Sequence, residues 1–504
     1  MVKDKILIID FGGQYAHLIS RRIRDLGVYT EITYPESLPD NGYKGYVLSG
    51  GPSSVYVEKH DHIVESIIEK GKPLLGICYG HQLLAKVLGG KVGPSPSPEF
   101  GPVRVEVKDG HPITRGLAGK KLRVWMSHND AVLSPPPGAR VHASTRGSPV
   151  AMFTLGGNII GVQWHPEVRH SELGSVLLDN FIKITGSRRE WSIEVMLEEI
   201  RRYIRGKLKP GSKAVAAVSG GIDSSLATYL VMKYSNADVI PVFIDTGLLP
   251  WGEREKAVKL LDKIGVKPII LEKSRVFLGS LKGIEDPEEK RLIVGQVYSE
   301  VLSEFSREIG ATHLIQGTIY PDVIESGANP GADTIKTHHN VGGLRVHGLV
   351  LVEPLGNLYK DEVRRIALSL GFPKELVYKK PIPGPGLAVR VEGPVDEERL
   401  NTVRTADRIF REIVEEKGLD RDLWQYFAVL TRSKATGVKG DKRSYGFVVV
   451  LRAVTSSDAM TADVAELPYD VLREAARRII GSLPQVTRVL YDVTTKPPAT
   501  IEWE

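Results

Sequence analysis

The sequence feature that most constrains the fold is an alternation of short apolar runs with amphipathic stretches, which occurs twice. The first series contains the runs "KILIID", "GYVLSG" and "PLLGIC", separated by stretches such as "HLISRRIRDLG" and "HIVESIIEKG". The second series contains "KAVAAV", "DVIPVFID" and "VKPIILEK". Strands that alternate with helices in this way form βαβ units, in which a parallel sheet is covered by helices on both faces. The sequence therefore predicts an α/β fold with two doubly wound parallel-sheet domains.

Two changes of character along the chain give the predicted domain boundaries. The stretch "TGSRREWSIEVMLEEIRRYIRGKLKPGSK" begins with polar residues, continues as a charged helix and ends at Pro-Gly, which indicates a boundary near residue 188. After "KKPIPGPGLAVR", strands such as "GFVVVLRAV" accompany two helices, which is typical of a smaller α+β domain. We therefore expect domains at 1–188, 189–380 and 381–504. Within the first domain, "GPSPSPEFGP" at 93–102 is predicted to be a loop because prolines disfavour helices and strands.

Composition excludes several classes of protein. The 504 residues include a single Cys, which excludes a disulfide framework and a Cys-based zinc site. No apolar run reaches the roughly 18 residues expected of a membrane span, and "MVKDKILIIDFGGQY" is typical of a first strand and not of a signal peptide. We expect a soluble, cytoplasmic protein with no membrane partner. The net charge of +6 is compatible with phosphate-bearing substrates or a solvated surface, and no Lys/Arg block favours nucleic acid.

The single thiol, Cys78, lies where a predicted strand turns into a predicted helix, in "PLLGICYGHQLL". Such an elbow lifts a nucleophile above the sheet, and the helix N-terminus favours a thiolate, although a lone Cys is more often a small buried hydrophobe. In "GVQWHPEV", His165 and Glu167 are two residues apart in a β-like context, so their side chains should project to one side. Glu can then orient an imidazole that takes the thiol proton, although a solvated strand end would also tolerate this pair.

A second candidate site follows the apolar strand "AVAAV". The loop "SGGIDSS" has two glycines that allow close backbone approach, and its hydroxyl and N–H groups can cradle pyrophosphate. Asp223 can bind Mg²⁺. No Lys follows the loop as in a P-loop kinase, and a Gly-Ser turn before a helix is often only a cap. The candidate ATP-binding residues are Ser219, Gly220, Gly221, Ile222, Asp223, Ser224 and Ser225.

The motifs "LSGGPSS", "GICYGHQ" and "QWHPE", in this order, resemble class I glutamine amidotransferase domains, and the resemblance covers the whole first domain. It implies that Cys78 is the nucleophile, His165 the general base and acid, and Glu167 the carboxylate that orients His165. The implied reaction is attack of the thiol on the side-chain amide of glutamine, which releases ammonia. The implied oxyanion-hole donors are Gly51 and Tyr79, and the implied glutamine-binding residues are Gln82 and Asp130 of "SHND".

The loop "SGGIDSS" resembles that of ATP pyrophosphatases, which adenylylate an oxygen and release pyrophosphate. Together with "LIQGTIYPDVIES", "LVEPLGNLYKDEVR", "PIPGPGLAVR" and the terminal "KPPATIEWE", it resembles the GMP synthetase family from end to end. The resemblance implies glutamine, Mg-ATP and xanthosine 5′-monophosphate (XMP) as substrates, no prosthetic group, and a homodimer formed by the third domain. The implied reaction is adenylylation of O2 of XMP, followed by displacement of AMP at C2 by ammonia. The implied XMP-binding residues are Gly384, Pro385, Gly386, Lys496 and Glu502.

Some positions depart from the family pattern. "DTGLLP" replaces the usual "DNGLLR", so that a familiar Arg is Pro250, whose role is vacant or falls to a neighbour such as Arg254. "KPIPGPG" and "GGLR" replace "HPFPGPG" and "GGLP". The His338–His339 pair is expected to be part of a polar loop and not a metal site. The two prolines of "KPPATIEWE" predict an extended path for the tail.

Two alternatives remain open from the sequence. An RNA-modifying thiolase or amidase would use the same adenylylating loop and would suit a basic chain. Thiolation normally requires a Cys in the adenylylating domain, and none follows Cys78. A non-catalytic nucleotide-sensing scaffold is the second alternative, and the intact set of Cys, His and Glu argues against it.

Overall fold

A computed structural model describes residues 3–57, 59–327, 348–456 and 461–504. The chain divides into two compact units, and the main division falls between Glu199 and Ile200. The finer boundaries predicted near residues 188 and 380 stay predictions. The His338–His339 pair and the "GGLR" segment lie outside the described residues. No helix in the described part of the chain has both the length and the apolar character needed to cross a bilayer.

The first unit is built on a mostly parallel sheet. Its strands are β1 (Lys5–Ile9), β2 (Tyr29–Thr33), β3 (Gly45–Leu48), β4 (Leu74–Ile77), β5 (Lys91–Glu106), β6 (Lys121–Ser134), β7 (Arg140–Ala143), β8 (Met152–Leu155) and β9 (Ile159–Val162). Its helices are α1 (Ala16–Asp25), α2 (Asp61–Glu69), α3 (Tyr79–Val87) and α4 (Gly174–Thr185), with short 3₁₀ turns at Pro35–Ser37 and Pro112–Thr114. Helix α5 (Ile193–Lys207) contains the division between the units. The sheet order is β2-β1-β3-β4-β9-β8-β7.

Strands β2 to β9 of this order pair in parallel, and β8 and β7 add to the edge in antiparallel orientation. The central strands are apolar on both faces, as expected of a parallel sheet that helices cover on both sides. Leu7, Leu48 and Leu83 belong to one fully buried apolar cluster that joins the sheet to α3. The carboxyl ends of β1, β3, β4 and β9 therefore meet at one edge, where open α/β sheets bind ligands.

The predicted loop at 93–102 is wrong, because these residues belong to β5, which pairs with β6 in an antiparallel two-stranded ribbon. Pro94, Pro96 and Pro98 are two residues apart. N–H groups of alternate strand residues point to the same edge, so the missing N–H groups of these prolines all fall on one side of β5. The register shifts between Pro94 and Glu99, where the regular ladder is interrupted. A two-stranded ribbon can thus contain prolines that a central strand could not.

The second unit contains a parallel sheet and a smaller mixed sheet. Its strands are β10 (Lys213–Ala217), β11 (Asp238–Asp245), β12 (Ile269–Glu272), β13 (His313–Ile315), β14 (Val350–Val352), β15 (Gln425–Lys439), β16 (Lys442–Thr455), β17 (Asp463–Val464) and β18 (Val486–Tyr491). Its helices are α6 (Ile222–Tyr234), α7 (Glu253–Lys263), α8 (Ser274–Ser280), α9 (Pro287–Glu308), α11 (Lys360–Ser369), α12 (Lys374–Val377), α13 (Glu397–Glu416) and α14 (Tyr469–Ser482), with a 3₁₀ turn at Gly386–Arg390. Helix α10 (Tyr320–Gly327) begins in the second unit, and its residues from Ile324 onward are assigned to the first.

The parallel sheet has the order β12-β11-β10-β13-β14, and all its neighbouring strands are parallel. In the smaller sheet, β16 pairs antiparallel with β15 and β17 and parallel with β18. Helices α13 and α14 contribute buried apolar residues to the core beneath this sheet. The predicted fold class, two doubly wound α/β sheets followed by a smaller α+β arrangement, is confirmed.

Candidate active site

Cys78 is the hinge between strand β4 and helix α3. Its backbone has φ 55° and ψ −106°, a conformation that is strained for a residue with a side chain. Its N–H donates to the carbonyl of Val162 at 2.9 Å, which ties the hinge to the end of β9. A Cβ on Gly76 would lie 2.5 Å from the carbonyl oxygen of Gly80, so the tight turn requires glycine. The predicted elbow is present, and the thiol lies at the carboxyl edge of the sheet.

His165 and Glu167 lie in the turn that follows β9, and the predicted β-like context is wrong. The turn is fixed to β6, because His165 N–H donates to the carbonyl of Trp125 at 3.0 Å. Ser171 Oγ donates to the carbonyl of His165 at 2.6 Å. His165 Nδ1 is 2.7 Å from Glu167 Oε1, and both side chains are buried. The pair is therefore oriented by a turn and not by strand alternation.

The imidazole of His165 is close to the thiol and strongly basic. A Cβ placed on Gly50 would lie 3.0 Å from His165 Cε1 and 3.7 Å from Cys78 Cβ, so both side chains flank the same small space. Burial lowers the pKa of His165, but the Glu167 carboxylate and the Cys78 side chain outweigh burial and raise that pKa to about 10. A protonated imidazole at neutral pH can stabilise a neighbouring thiolate.

Polar groups from three segments surround the sulfur. Gln163 Nε2 donates to Cys78 Sγ at 3.7 Å, and Sγ is 3.5 Å from the carbonyl of Ser127. Gln82 Nε2 donates to the carbonyl of Asp130 at 2.7 Å and to Gln163 Oε1 at 3.2 Å. The structure thus links the predicted Gln82 and the backbone of the predicted Asp130 to the thiol through Gln163. Sequence reasoning missed Gln163, although this residue stands inside the quoted "QWHPE" motif.

The two predicted oxyanion-hole residues lie together at the start of α3. A Cβ on Gly51 would meet Phe11 O at 2.9 Å and Tyr79 Cγ at 3.3 Å, so the Gly51 backbone packs against this helix end. Tyr79 is the first residue of α3, and the first N–H groups of a helix have no acceptor within the helix. Their donor role stays a prediction, and their placement beside Cys78 is compatible with it.

Two of the other histidines in this unit, His128 and His81, lie in different environments. His128 Nε2 is 3.2 Å from Glu99 Oε2, and its Nδ1 is 3.0 Å from the carbonyl of Asp130. Burial lowers the pKa of His128 although Glu99 opposes this shift. Burial also lowers the pKa of His81, to about 3, so that His81 is a neutral packing residue. Sequence reasoning missed the Glu99–His128 pair, which links β5 to β6 beside Asp130.

The predicted ATP-binding loop joins β10 to α6. Gly220 has φ +72°, and a Cβ there would lie 2.4 Å from Ala257 Cβ of α7, so the loop packs closely on that helix. Ser219 Oγ and Ser224 Oγ are 3.2 Å apart, while Ser225 Oγ donates to the carbonyl of Gly221 at 2.6 Å. Ile222 and Ser225 are buried, so their side chains support the loop from inside. Gly220 is buried as well, whereas Ser219 is exposed and Gly221, Asp223 and Ser224 are half-buried, so these four residues form the open part of the loop.

A neighbouring strand end completes this edge of the sheet. A Cβ on Gly317, after β13, would lie 2.5 Å from the backbone nitrogen of Ser224, so the two loops touch. The adjacent Thr318 is 6% exposed, and its hydroxyl has no hydrogen-bond partner in the described residues. Buried hydroxyls are normally partnered. Thr318 therefore offers a hydroxyl to a bound group, a residue that the sequence reasoning did not identify.

Asp223 is suited to hold part of a divalent cation site. Its Oδ2 contacts Lys360 Nζ, and its Oδ1 is buried without a partner among the described residues. No three His, Cys, Asp or Glu side chains cluster as a metal site within residues 3–57, 59–327, 348–456 and 461–504. Mg²⁺ is commonly held by one or two carboxylates together with substrate phosphates, so a single Asp beside a phosphate loop fits it.

The predicted "PGPG" contacts adjoin the loop after β11. Gly386 has φ +61°, and the N–H of Leu387 donates to the carbonyl of Leu248 at 2.8 Å. Pro385 is buried and Gly384 is exposed. Pro250 is buried in the same loop. The structure thus joins the "DTGLLP" and "PGPG" segments at one place.

Arg254, the proposed substitute for the missing Arg, is already paired with two carboxylates. Its Nη1 donates to Asp245 Oδ2 at 2.6 Å and to Glu272 Oε2 at 3.0 Å. Arg404 Nε donates to the carbonyl of Leu249 at 3.0 Å, so a different Arg contacts the "DTGLLP" loop. Burial lowers the pKa of Arg404.

The C-terminal tail turns and does not run extended as predicted. The N–H of Ala499 donates to the carbonyl of Thr495 at 3.0 Å, which closes a turn over the two prolines. Lys496 exchanges two backbone hydrogen bonds with Ala462 at 2.8 and 3.0 Å. Glu502 accepts from Arg390 Nη2 at 2.9 Å and from Arg390 Nε at 3.1 Å. The backbone of the tail is therefore fixed by contacts other than proline stiffness.

Buried cations hold this tail in the second unit. Lys290 Nζ donates to Glu504 Oε2 at 2.8 Å, and Arg390 pairs with Glu502. Arg452 donates to two tail carbonyls at 2.9 and 2.7 Å. The three cationic side chains are at most 1% exposed. Deletion of the tail would remove Glu504 from Lys290, Glu502 from Arg390 and two acceptor carbonyls from Arg452, so it would test folding and not only ligand binding.

Comparisons with known proteins agree with this arrangement. The family model "Glutamine amidotransferase class-I" matches residues 7–184, and "GMP synthase C terminal domain" matches residues 412–503. The GMP synthase (glutamine-hydrolyzing) of Aeropyrum pernix is 57% identical and covers 99% of this chain and 98% of its own. The GMP synthase (glutamine-hydrolyzing) of Thermomicrobium roseum is 47% identical, and the match covers 99% of this chain and 97% of the relative. The GMP synthase (glutamine-hydrolyzing) of Caldicellulosiruptor saccharolyticus is 45% identical, and the match covers 100% of both chains. Relatives of this identity along nearly the whole chain show that it belongs to the glutamine-hydrolyzing GMP synthase family.

Proposed function

We propose that this chain converts XMP to GMP with glutamine as the nitrogen donor and ATP as the activating substrate. The products besides GMP are glutamate, AMP and pyrophosphate. The observation that carries the proposal is the buried Cys78–His165–Glu167 set in one unit, together with a phosphate loop at the carboxyl edge of the sheet in the other. We further propose a cytoplasmic homodimer, as the family resemblance implies.

The first unit would release ammonia by acyl transfer. Cys78 Sγ attacks the amide carbon of glutamine, and the N–H groups of Gly51 and Tyr79 stabilise the charge on the amide oxygen. His165 donates its proton to the departing nitrogen, the C–N bond of the tetrahedral intermediate breaks, and ammonia leaves while the glutamyl group stays on Cys78 as a thioester. His165 then takes a proton from water, which attacks the thioester and frees glutamate. Glu167 keeps the imidazole oriented through Nδ1.

The second unit would activate XMP for amination. O2 of XMP attacks the α-phosphorus of ATP, and pyrophosphate leaves. Ammonia then adds at C2, and AMP leaves as the C–O bond breaks. Bound Mg²⁺ would offset charge on the phosphates, and Asp223 is the residue that would hold it. The backbone of the loop at Gly220 and Gly221 would donate to the pyrophosphate.

The proposed reaction is tested by AMP formation. Purified chain supplied with ATP, glutamine and XMP should release AMP, and the same chain with tRNA in place of XMP should not. AMP release that depends on tRNA would support the RNA-modifying alternative. Specific binding of nucleotides with no AMP release from any substrate would support a sensing scaffold.

Glu167→Gln is expected to lower the pKa of His165 and to destabilise the first unit in a pH-dependent manner. The pKa of His165 is raised from 6.5 to about 10 in the folded state. The stabilisation that protonated His165 gains from Glu167 is therefore fully present below pH 6.5 and is lost as the pH rises through 10. Near pH 6 the free energy of unfolding of the first unit should be about 1.5–3 kcal/mol higher in the wild type than in the variant. This difference should shrink by pH 10. Hydrogen–deuterium exchange of first-unit peptides measures this.

Glu172→Gln is the matched control for this measurement, because Glu172 is a half-exposed partner of Arg123 in the same unit. Its exchange rates should follow those of the wild type across the pH range. Equal protection of the wild type and Glu167→Gln at pH 6 would contradict the assigned role of Glu167.

Lys496→Ala is expected to weaken XMP binding without dissociating the tail. The tail is fixed by backbone bonds of Lys496 and by buried cations, so removal of one ammonium should leave its path intact. A charge-assisted hydrogen bond to phosphate contributes about 1.5–3 kcal/mol, which corresponds to roughly ten- to a hundredfold in affinity. Calorimetric titration with XMP measures the loss. Lys417→Ala, at an exposed lysine of the same unit, is the control, and equal XMP affinity of both variants would remove Lys496 from the site.

A further inference from the structure

A backbone irregularity in the β5–β6 ribbon lies beside the thiol of the first unit. Between the paired residues Pro94 and Asp130 and the paired residues Glu99 and His128, four residues of β5 stand opposite a single residue of β6. Such a bulge interrupts the ladder of backbone hydrogen bonds. The same part of β6 places the carbonyl of Ser127 at 3.5 Å from the sulfur. Side chains must therefore fix this part of β6 where the ladder does not.

The carboxylate of Glu99 joins three segments at this irregularity. Its Oε2 accepts from Thr145 Oγ1 at 2.8 Å and lies 3.2 Å from Nε2 of His128. Its Oε1 accepts from the N–H of Gly147 at 3.2 Å. The side chain of Glu99 is 10% exposed, and a carboxylate that is largely removed from water needs such donors around it. Glu99 thus ties β6 to β5 and to the turn at 145–148.

His128 extends this connection to the backbone of Asp130. Its Nδ1 is 3.0 Å from the carbonyl oxygen of Asp130, and its side chain is 1% exposed. Both ring nitrogens therefore face acceptors, whereas a neutral imidazole has a single N–H. The two hydrogen bonds require one additional proton within the Glu99–His128 pair. An amide in place of the Glu99 carboxylate would supply the second N–H itself.

The carbonyl that His128 holds is connected to the sulfur. The carbonyl oxygen of Asp130 also accepts from Gln82 Nε2 at 2.7 Å. Gln82 Nε2 contacts Gln163 Oε1 at 3.2 Å, and Gln163 Nε2 donates to the sulfur at 3.7 Å. The carbonyl of Ser127 reaches the sulfur directly from the same strand. The placement of this strand relative to the thiol therefore depends on the Glu99–His128 pair.

We propose that Glu99 and His128 are positioning residues for the glutamine substrate. They hold the β6 segment that contains Asp130, the residue expected to bind glutamine, at a fixed place beside Cys78. They act through the backbone of β6 and not on the reacting atoms. Breaking the pair should weaken glutamine binding and keep the reactivity of the thiol, which His165 controls. This inference rests on the proposed function, because it assigns residues to its glutaminase reaction.

Glutamate release at varied glutamine concentration, with Mg-ATP and XMP present, tests the proposal. Glu99→Ala and His128→Ala should each raise KM for glutamine roughly ten- to a hundredfold, as expected when a binding group moves by about 1 Å. The kcat should stay within a few-fold of the wild type, since the lost interaction concerns binding. Glu99→Gln should restore both constants, because its amide N–H can donate to His128. Glu106→Ala is the matched control, because Glu106 is exposed in the regular part of β5, opposite Lys121.

The single Cys of the chain allows a second readout that does not depend on turnover. A diazoketone analogue of glutamine binds the glutamine site before it alkylates Cys78 with loss of N₂, whereas iodoacetamide needs only access to the thiol. At low concentration of the analogue, Glu99→Ala should slow labelling roughly ten- to a hundredfold. Labelling by iodoacetamide should stay within a few-fold of the wild type. Mass spectrometry of the intact chain measures both rates.

Each outcome decides one claim. A wild-type chain that releases no glutamate from glutamine would overturn the proposed function. A wild-type chain that hydrolyses glutamine, with unchanged KM in both alanine variants, would overturn only the positioning role. Faster labelling of the variants by iodoacetamide would assign the pair to the fold and also overturn the inference. If neither alanine variant folds, Thr145→Val removes one donor to Glu99 at similar volume, and an unchanged KM in that variant would overturn the inference as well.

Discussion

Cys78→Ala should lose glutamine-dependent GMP formation by roughly 10⁶-fold, as expected when a covalent nucleophile is removed, while synthesis from ammonium salt continues. In the proposed mechanism the thiol takes part only in the release of ammonia, and its contacts lie in the first unit. Alanine removes the sulfur together with its contacts to Gln163 and Ser127, and it adds no volume to the site. The two nitrogen sources should therefore be fully separated by one substitution.

The measurement is AMP formation with XMP and Mg-ATP, with glutamine in one series and ammonium chloride in the other. The ammonium series is the internal control, because it uses the same folded preparation. Loss of both activities in a chain that still binds XMP would contradict separate sites. Residual glutamine-dependent activity within tenfold of the wild type would remove Cys78 from the chemistry.

Asp223→Asn should reduce synthesis from either nitrogen source by roughly 10³-fold, since a metal held at a phosphoryl group contributes several kcal/mol. Asn keeps the shape and can still accept a hydrogen bond from Lys360, so the loop should stay folded. The glutaminase reaction of the first unit should keep its basal rate. The predicted defect is thus the reverse of the Cys78→Ala defect, which spares ammonia-dependent synthesis.

Asp238→Asn is the matched control, because Asp238 lies at the exposed start of β11 beside Lys213, at the opposite end of its strand from the site. Its rates should equal those of the wild type. Near-normal ammonia-dependent AMP release by Asp223→Asn, at saturating Mg²⁺, would show that this carboxylate takes no part in adenylylation.

The parts of the fold and site that could be predicted from sequence are those that local pattern determines. Cys78 could be placed because a strand, a turn and a helix follow one another within "PLLGICYGHQLL". The loop "SGGIDSS" could be placed between a strand and a helix for the same reason, and its role in binding phosphate stays a prediction. The turn at His165 was misread as a strand because the pairing that ends β9 at Val162 depends on its neighbours in the sheet.

Long-range contacts explain what the sequence could not provide. Lys360 is more than a hundred residues from the loop in sequence, and no periodicity indicates that α11 brings it to Asp223. The pairing of Arg390 with Glu502 likewise joins residues that are distant in sequence. The sequence gives the residue type of each Lys and Arg, but it does not show which of them are buried and paired.

The prolines of β5 also have a consequence for solubility. An unpaired strand edge with regular N–H groups can recruit a strand from another molecule and start aggregation. Pro94, Pro96 and Pro98 remove the donors along one edge of the β5–β6 ribbon, so a foreign strand would find no regular set of hydrogen bonds there. The prolines that led to the wrong prediction of a loop therefore protect the edge of this strand from intermolecular β-sheet growth.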